Sequence, residues 1–377
     1  MTKTEPKALR SRGEPLVHIA KRDSVSIGKK IFIRAAAILC AMILNAVFIV
    51  IVTKLNPFEV YARIFAASFS RPMLFMQLLR DLTSLLCIGV ALAPAFKMRF
   101  WNIGAEGQVL MGGFATALCM IYLGGKIPTG LLFLAMIVTS VLAGAIWGLI
   151  PAFFKANWNT NETLFTLMMN YVAIQIVAYT VNILRGERAS VGSINQAGWF
   201  PNIWGYNYTL NILIVAVLTV LMYIYLRSTK HGYEIAVVGE SERTAKYAGI
   251  NVKRVTMRTM LISGALCGLC GLILVAGDKH TLATNTAGGN GFTAIIVAWL
   301  AKFNTFYMAL ISFLLVFLEK GAREIASAYA LNEYIAGIIS GMILFFILGS
   351  EFFIQYRLVP RRRSDKADQN GKGGAEE

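Results

Sequence analysis

The sequence predicts an all-α, polytopic transmembrane helical bundle of about ten spans. Three observations lead there. Of the 377 residues, 56% are hydrophobic and 15% charged, where an ordinary soluble domain carries about a quarter charged residues. Charge-free apolar runs fall at 35–53, 82–96, 107–125, 127–154, 163–184, 208–226, 259–277, 291–301, 303–318 and 334–350. A helix spans with about 20 apolar residues, or somewhat fewer when flanking side chains snorkel. No run alternates with the two-residue period of a strand, which sets a β-barrel aside.

Taken in order, residues 1–30 read as a basic cytoplasmic tail, 31–356 as the transmembrane domain and 357–377 as a second polar tail. The charge of the first segment and the length of run 35–53 argue against a cleavable signal. The eighth run is the shortest and reads as either a half-helix or a full crossing. Gly288-Gly289-Asn290-Gly291 before it supplies a break at which the chain can re-enter the membrane. Gly144-x-x-x-Gly148, Gly264-x-x-x-Gly268 and Gly337-x-x-x-Gly341 lie on three different spans, where small residues four apart let backbones approach. With ten crossings and the N-terminus inside, 26 of the 36 Lys and Arg fall on inner segments, so both termini are expected in the cytoplasm. Topology thus accounts for the net charge of +16 without invoking nucleic acid.

No nucleotide-cradling G-x-x-x-x-G-K-[S/T] loop, zinc-protease H-E-x-x-H or nucleophile G-x-S-x-G occurs. No catalytic residue, metal site or bound cofactor is therefore expected. Cys267-Gly-Leu-Cys270 has the spacing of a redox or zinc pair, but it sits inside a span without a second ligand pair and reads as small-residue packing. His18, His231 and His280 are scattered through a tail and two loops.

Two stretches stand out from this background. RFWNIGAEGQVLMGG (99–113) threads Asn102, Glu106 and Gln108 between apolar runs, and Asn170 and Tyr171 interrupt the fifth. Such groups either line a pathway for a polar solute or hydrogen-bond neighbouring helices. The loop 227–258 carries the signals of two short helices. Gly232 and Gly239 frame one; Ser241 caps the next, Glu242 suits its first turn, Lys246 its end, and Gly249 its left-handed stop. An amphipathic pair of this kind either rests on lipid headgroups or docks into a groove of a soluble partner.

The stretch GYEIAVVGESERTAKYAGINV (232–252) resembles the coupling loop of permease subunits in bacterial ABC importers of nucleosides and simple sugars. That group belongs to the larger family that includes ribose and branched-chain amino acid permeases. FWNIGAEGQVLMGG (100–113), KANWNTNETLFTLMMNYVA (155–173) and ISGALCGLCG (262–271) resemble further signatures of the family in the same order, so the likeness covers residues 82–345. The resemblance implies a permease of the bacterial cytoplasmic membrane paired with a second permease, identical or related. It also implies two ABC ATPases that hold ATP and Mg, and an extracytoplasmic solute-binding protein or lipoprotein. Contact with the ATPase is then expected from Gly232, Tyr233, Glu234, Ala236, Gly239, Glu240, Ala245 and Gly249. The substrate pathway is expected to use Asn102, Glu106, Gln108, Asn170 and Tyr171. Two departures are visible: Glu240-Ser241 where Asn often follows the coupling glycine, and AWLAKFNTF (298–306) in place of a Gly/Pro turn. The alternative reading is an ion-coupled secondary transporter or channel, against which the scarcity of intramembrane charges weighs.

Overall fold

Fifteen residues of one helix, between Leu78 and Phe96, are buried, and the bundle is built around that helix. It belongs to a computed structural model that describes residues 17–22, 26–186, 188–203, 205 and 208–360. Among these, nine helices are long and apolar enough to cross a membrane, and an apolar helix at Asn290–Leu300 is shorter. The ten expected runs are all helical. The chain divides into two units, 1–57 with 338–377, and 58–337.

The smaller unit joins the two ends of the chain. Strand β1 (Val17–Lys21) pairs antiparallel with β2 (Tyr356–Pro360), Val17 opposite Pro360. Helices α1 (Ile27–Thr53) and α13 (Glu333–Gln355) meet through Arg34–Glu351 at 3.1 Å and a bond from Asn45 Nδ2 to the Ile339 carbonyl. Both strands lie in segments read from sequence as tails or at their edge. Val17, Ile19, Tyr356 and Val359 are the β-prone residues that support pairing there.

In the larger unit, α2 (Pro57–Phe69) has no counterpart among the sequence runs. Thirteen residues are too few to span, yet Val60, Ile64 and Ala67 form a buried stripe, and Ile64 packs on Gly321. Helix α3 (Pro72–Lys97) starts ten residues before its charge-free run. Arg80 and Asp81 lie just before that run but pair at 2.7 Å, so the helix tolerates both. Helices α4 (Ala105–Leu123), α5 (Thr129–Trp158), α6 (Glu162–Arg185) and α7 (Thr209–Ser228) follow the predicted runs.

Helix α10 (Val252–Leu274) is the inner partner of α4 and α5. Its Gly264 and Gly268 face Gly144 and Gly148 of α5, and a Cβ on Gly268 would run into the Ser140 carbonyl. Its other side meets α4, where Gly112 faces Gly268 and Gly271 faces the Val109 carbonyl. Two of the three small-residue pairs thus interlock with each other. Around Gly337 and Gly341 no described atom lies within 4 Å of an added Cβ.

At its far end α10 widens into a π turn, Val275–Lys279, clamped by the segment after α6. Val191, Ile194 and Phe200 donate backbone N–H groups to the Leu282, His280 and Ala276 carbonyls at 2.9–3.0 Å. The Trp199 ring stacks on His280 with centroids 3.9 Å apart. Gly288 and Gly289, both left-handed (φ 67° and 79°), then turn the chain into α11 (Asn290–Leu300). The turn out of α11 uses left-handed Lys302 and Phe303 in place of glycine, and Asn304 caps α12 (Thr305–Ala328). The unusual 298–306 stretch therefore still makes a tight junction.

Two outcomes test this packing. Gly268→Ala should destabilise the detergent-purified protein by about 1–3 kcal/mol or more, the range for overpacking, while Gly337→Ala leaves the melting temperature unchanged. Burial, partly opposed by a hydrogen bond to the Ala276 backbone, holds the His280 imidazole below its ordinary value of 6.5. The clamp is then fully stable above that value and weakens as pH falls through the lowered one. Amide exchange at Val191 and Ile194, corrected for intrinsic rates, should be faster at pH 5 than at pH 7.5. His280→Gln should abolish the difference.

Candidate functional site

Two short helices, α8 (Lys230–Glu240) and α9 (Glu242–Tyr247), occupy the loop in which the sequence places them. Thr229 caps the first by accepting from the Gly232 N–H at 3.1 Å, and Ser241 caps the second by accepting from Thr244 at 3.2 Å. Gly249 ends the pair with φ 75°. Ile235, Val238 and Ala245 are buried, so the helices lie against the bundle on one face.

The eight residues expected to meet a partner divide between the two faces. Gly232 and Gly239 are turned inward, against the Leu226 and Lys97 carbonyls, where a Cβ would collide. Ala245 is buried and Ala236 half-buried. Glu234 turns toward α10 and bonds Arg258 at 2.8 Å. That hydrogen bond holds the Glu234 carboxyl below the usual carboxylate range. Tyr233, Glu240 and Gly249 are exposed. Gly232, Glu234, Gly239 and Ala245 fasten the pair to the bundle. The sequence reading missed Tyr247, which is 93% exposed at the end of α9. The signal was present, because Tyr247 lies two residues past buried Ala245 and thus on the opposite face. Arg258 and Lys97 were also missed; Lys97 Nζ donates to the Leu226 carbonyl at 2.8 Å and ties α3 to α7.

The second site is the break between α3 and α4. Asn102 and Gln108 exchange side-chain hydrogen bonds at 3.2 and 3.0 Å, and Asn102 Nδ2 also reaches Ser263 Oγ of α10 at 3.4 Å. Both amides are buried. From α6, Asn170 Oδ1 accepts from the Gly107 N–H at 2.8 Å and its Nδ2 donates to the Ile103 carbonyl at 2.9 Å. Thr166 Oγ1 accepts from the Ile103 N–H at 3.1 Å. A broken helix orphans backbone groups that lipid cannot satisfy, and these side chains satisfy them. Tyr171 stands apart, 63% exposed on α6.

Glu106 has a different task. Its two carboxylate oxygens accept from the Gly289 and Gly291 N–H groups at 2.7 and 2.8 Å. The carboxylate thus caps the start of α11, satisfying two orphan donors and complementing the positive end of the helix dipole. At the other end of α11, Trp299 stacks on Trp101 with centroids 5.1 Å apart. Helix α11 is held at both ends to the α3–α4 segment. Among the described residues no group of three or more His, Cys, Asp or Glu could hold a metal ion.

Replacing Glu106 separates capping from other roles. Glu106→Ala should lower stability by about 1 kcal/mol, the scale of a lost helix cap. Glu106→Gln, which keeps an acceptor, should lose less. Equal melting temperatures for wild type and both variants would remove the capping role.

Residues 74–348 match the family model described as branched-chain amino acid transport system / permease component. The guanosine ABC transporter permease protein of Bacillus subtilis is 30% identical over 72% of this chain and 80% of its own length. The nucleoside ABC transporter permease protein of Lactococcus lactis is 26% identical, covering 91% of this chain and 97% of that protein. A glucose ABC transporter permease protein of Haloferax volcanii is also 26% identical, over 89% and 92%. With nine membrane-capable helices and this likeness along most of its length, the chain belongs to the branched-chain amino acid transport system permease family, as a multi-pass permease subunit of an ABC importer.

Proposed function

We propose that this permease carries a nucleoside inward, driven by separate ATPases that dock on α8 and α9. The observation that carries the docking role is the two-faced α8–α9 pair: one face is fastened to α3, α7 and α10, and the other presents Tyr233, Glu240 and Tyr247. The names of the relatives support a nucleoside over glucose, since the guanosine permease is the more identical and the nucleoside permease is matched along nearly its whole length. A second permease, identical or related, would complete the pathway. An extracytoplasmic binding protein or lipoprotein would deliver the solute, and ATP with Mg would sit on the ATPases. Both termini and the α8–α9 pair lie in the cytoplasm in this reading, as the Lys and Arg distribution supports.

A physical route for the stroke follows from the packing. Displacement of α8 reaches α10 through Glu234–Arg258 and the end of α3 through Gly239. Backbone contact between α10 and both α4 and α5 leaves little compliance, so α4 follows, and Glu106 carries the movement to α11. ATP then biases a two-state bundle instead of acting on the solute directly.

In the reconstituted complex, Tyr247→Ala with Glu240→Lys should abolish copurification of the ATPase. Glu234→Gln should retain the ATPase but lower ATP-driven uptake about tenfold, the scale of losing one charged hydrogen bond of about 1.5–3 kcal/mol. Labelled guanosine uptake should be competed by adenosine and unaffected by glucose. The opposite competition pattern would assign a sugar.

A further inference from the structure

A cavity of about 590 Å³ lies beside α9, and neither Tyr233 nor Tyr247 lines it. Its wall collects charge from five parts of the chain: Arg99 after α3, Lys155 from α5, Glu162 from α6, Glu242 and Lys246 from α9, and Lys253 from α10. Lys155 and Glu162 neutralise each other at 2.9 Å. That leaves three cations facing one carboxylate. Arg99 and Lys246 make no ion pair with another described residue, and Lys253 reaches only the Asn157 amide oxygen, at 3.5 Å. Such a concave, net-cationic wall suits a phosphoryl group, which offers several acceptor oxygens to converging donors.

An independent feature adjoins it on the same helix end. Phe153, Phe154 and Trp158 are exposed, Trp158 by 62%. Phe154 stacks on Phe165 of α6 with centroids 5.0 Å apart and lies 5.4 Å from Trp158. They occupy the final turns of a 30-residue apolar helix, the level at which aromatic side chains meet the membrane–water interface. A soluble anion would use the cavity alone. A phospholipid would use both surfaces, with its headgroup among the cations and its acyl chains along the rings.

We propose that this cavity binds the phosphoryl headgroup of an anionic phospholipid from the inner leaflet, with Trp158 and Phe154 receiving the acyl chains. The proposal rests on the membrane orientation given above. Because Glu242 and Lys246 belong to α9, an occupied cavity holds that helix against the ends of α5 and α10. Lipid composition then enters the coupling between ATPase and bundle.

Native mass spectrometry of the full-length protein in detergent tests this without reference to ATPase or uptake, so it can fail while the import reading stands. The protein is titrated with phosphatidylglycerol or phosphatidylcholine of matched chains. Wild type should retain phosphatidylglycerol preferentially. Each cation removed, by Arg99→Gln or Lys253→Gln, should lower that preference about fivefold, the scale of about 1 kcal/mol per basic residue near anionic lipid. Lys253→Arg should preserve it, which separates charge from misfolding. Trp158→Ala should reduce retention of both lipids. Equal retention of the two lipids by wild type, or a preference untouched by Arg99→Gln and Lys253→Gln, overturns the proposal. Displacement of bound phosphatidylglycerol by millimolar inorganic phosphate overturns the lipid source and assigns a soluble phosphate ligand.

Discussion

The bundle depends on the close approach of α10 to α4 and α5. Lipid tails are as apolar as leucine, so helices in a membrane gain little from hiding apolar surface from each other. Van der Waals contact over matched backbones takes that role, and it needs side chains small enough to let the backbones touch. Gly264, Gly268 and Gly271 give α10 two such faces, one for Gly144 and Gly148 and one for Gly112 and the Val109 carbonyl. The result is a three-helix unit whose backbones touch at these glycines. Anything attached to it moves with it, and α8, the α3–α4 break and α11 are all attached.

Much of this was legible in the sequence, and the parts that were not have identifiable causes. Ten apolar runs became ten helices because a spanning helix must be long and apolar whatever it packs against. Ser241, Lys246 and Gly249 announced α9 because capping chemistry is local to a few residues. Helix α2 stayed hidden because a buried stripe of three residues in thirteen gives no apolar run. The early start of α3 was masked by Arg80 and Asp81, whose mutual neutralisation depends on a geometry that a charge count does not show. The β1–β2 ribbon joins segments more than 300 residues apart, and no local pattern links them.

The polar interruption at 102–108 shows a similar limit at the level of function. Sequence offered two readings for its amides and carboxylate, a solute pathway or a brace, and residue type alone does not choose between them. Partners decide. Asn102 and Gln108 are buried and bonded to each other, Asn102 also reaches Ser263, and Asn170 bonds the backbone of the break. Glu106 spends both oxygens on α11. Those bonds came from Gly289 and Gly291, more than 180 residues away, in a segment whose glycines read from sequence only as a chain break.

A single carboxylate capping a half-helix is also an economical way to join two parts of a membrane protein. A continuous helix has its backbone satisfied internally and can slide past its neighbours with little penalty. A helix that starts within the bundle leaves its first N–H groups without intrahelical partners, and the side chain that satisfies them ties it to its neighbour. Placing Glu106 on α4, between the braced Asn102 and Gln108, therefore makes α11 an extension of the α4–α10 unit instead of an independent element. The same physics explains why the 99–113 stretch is rich in polar residues but sits among apolar spans. Its side chains and those of α6 complete backbone that the break leaves open.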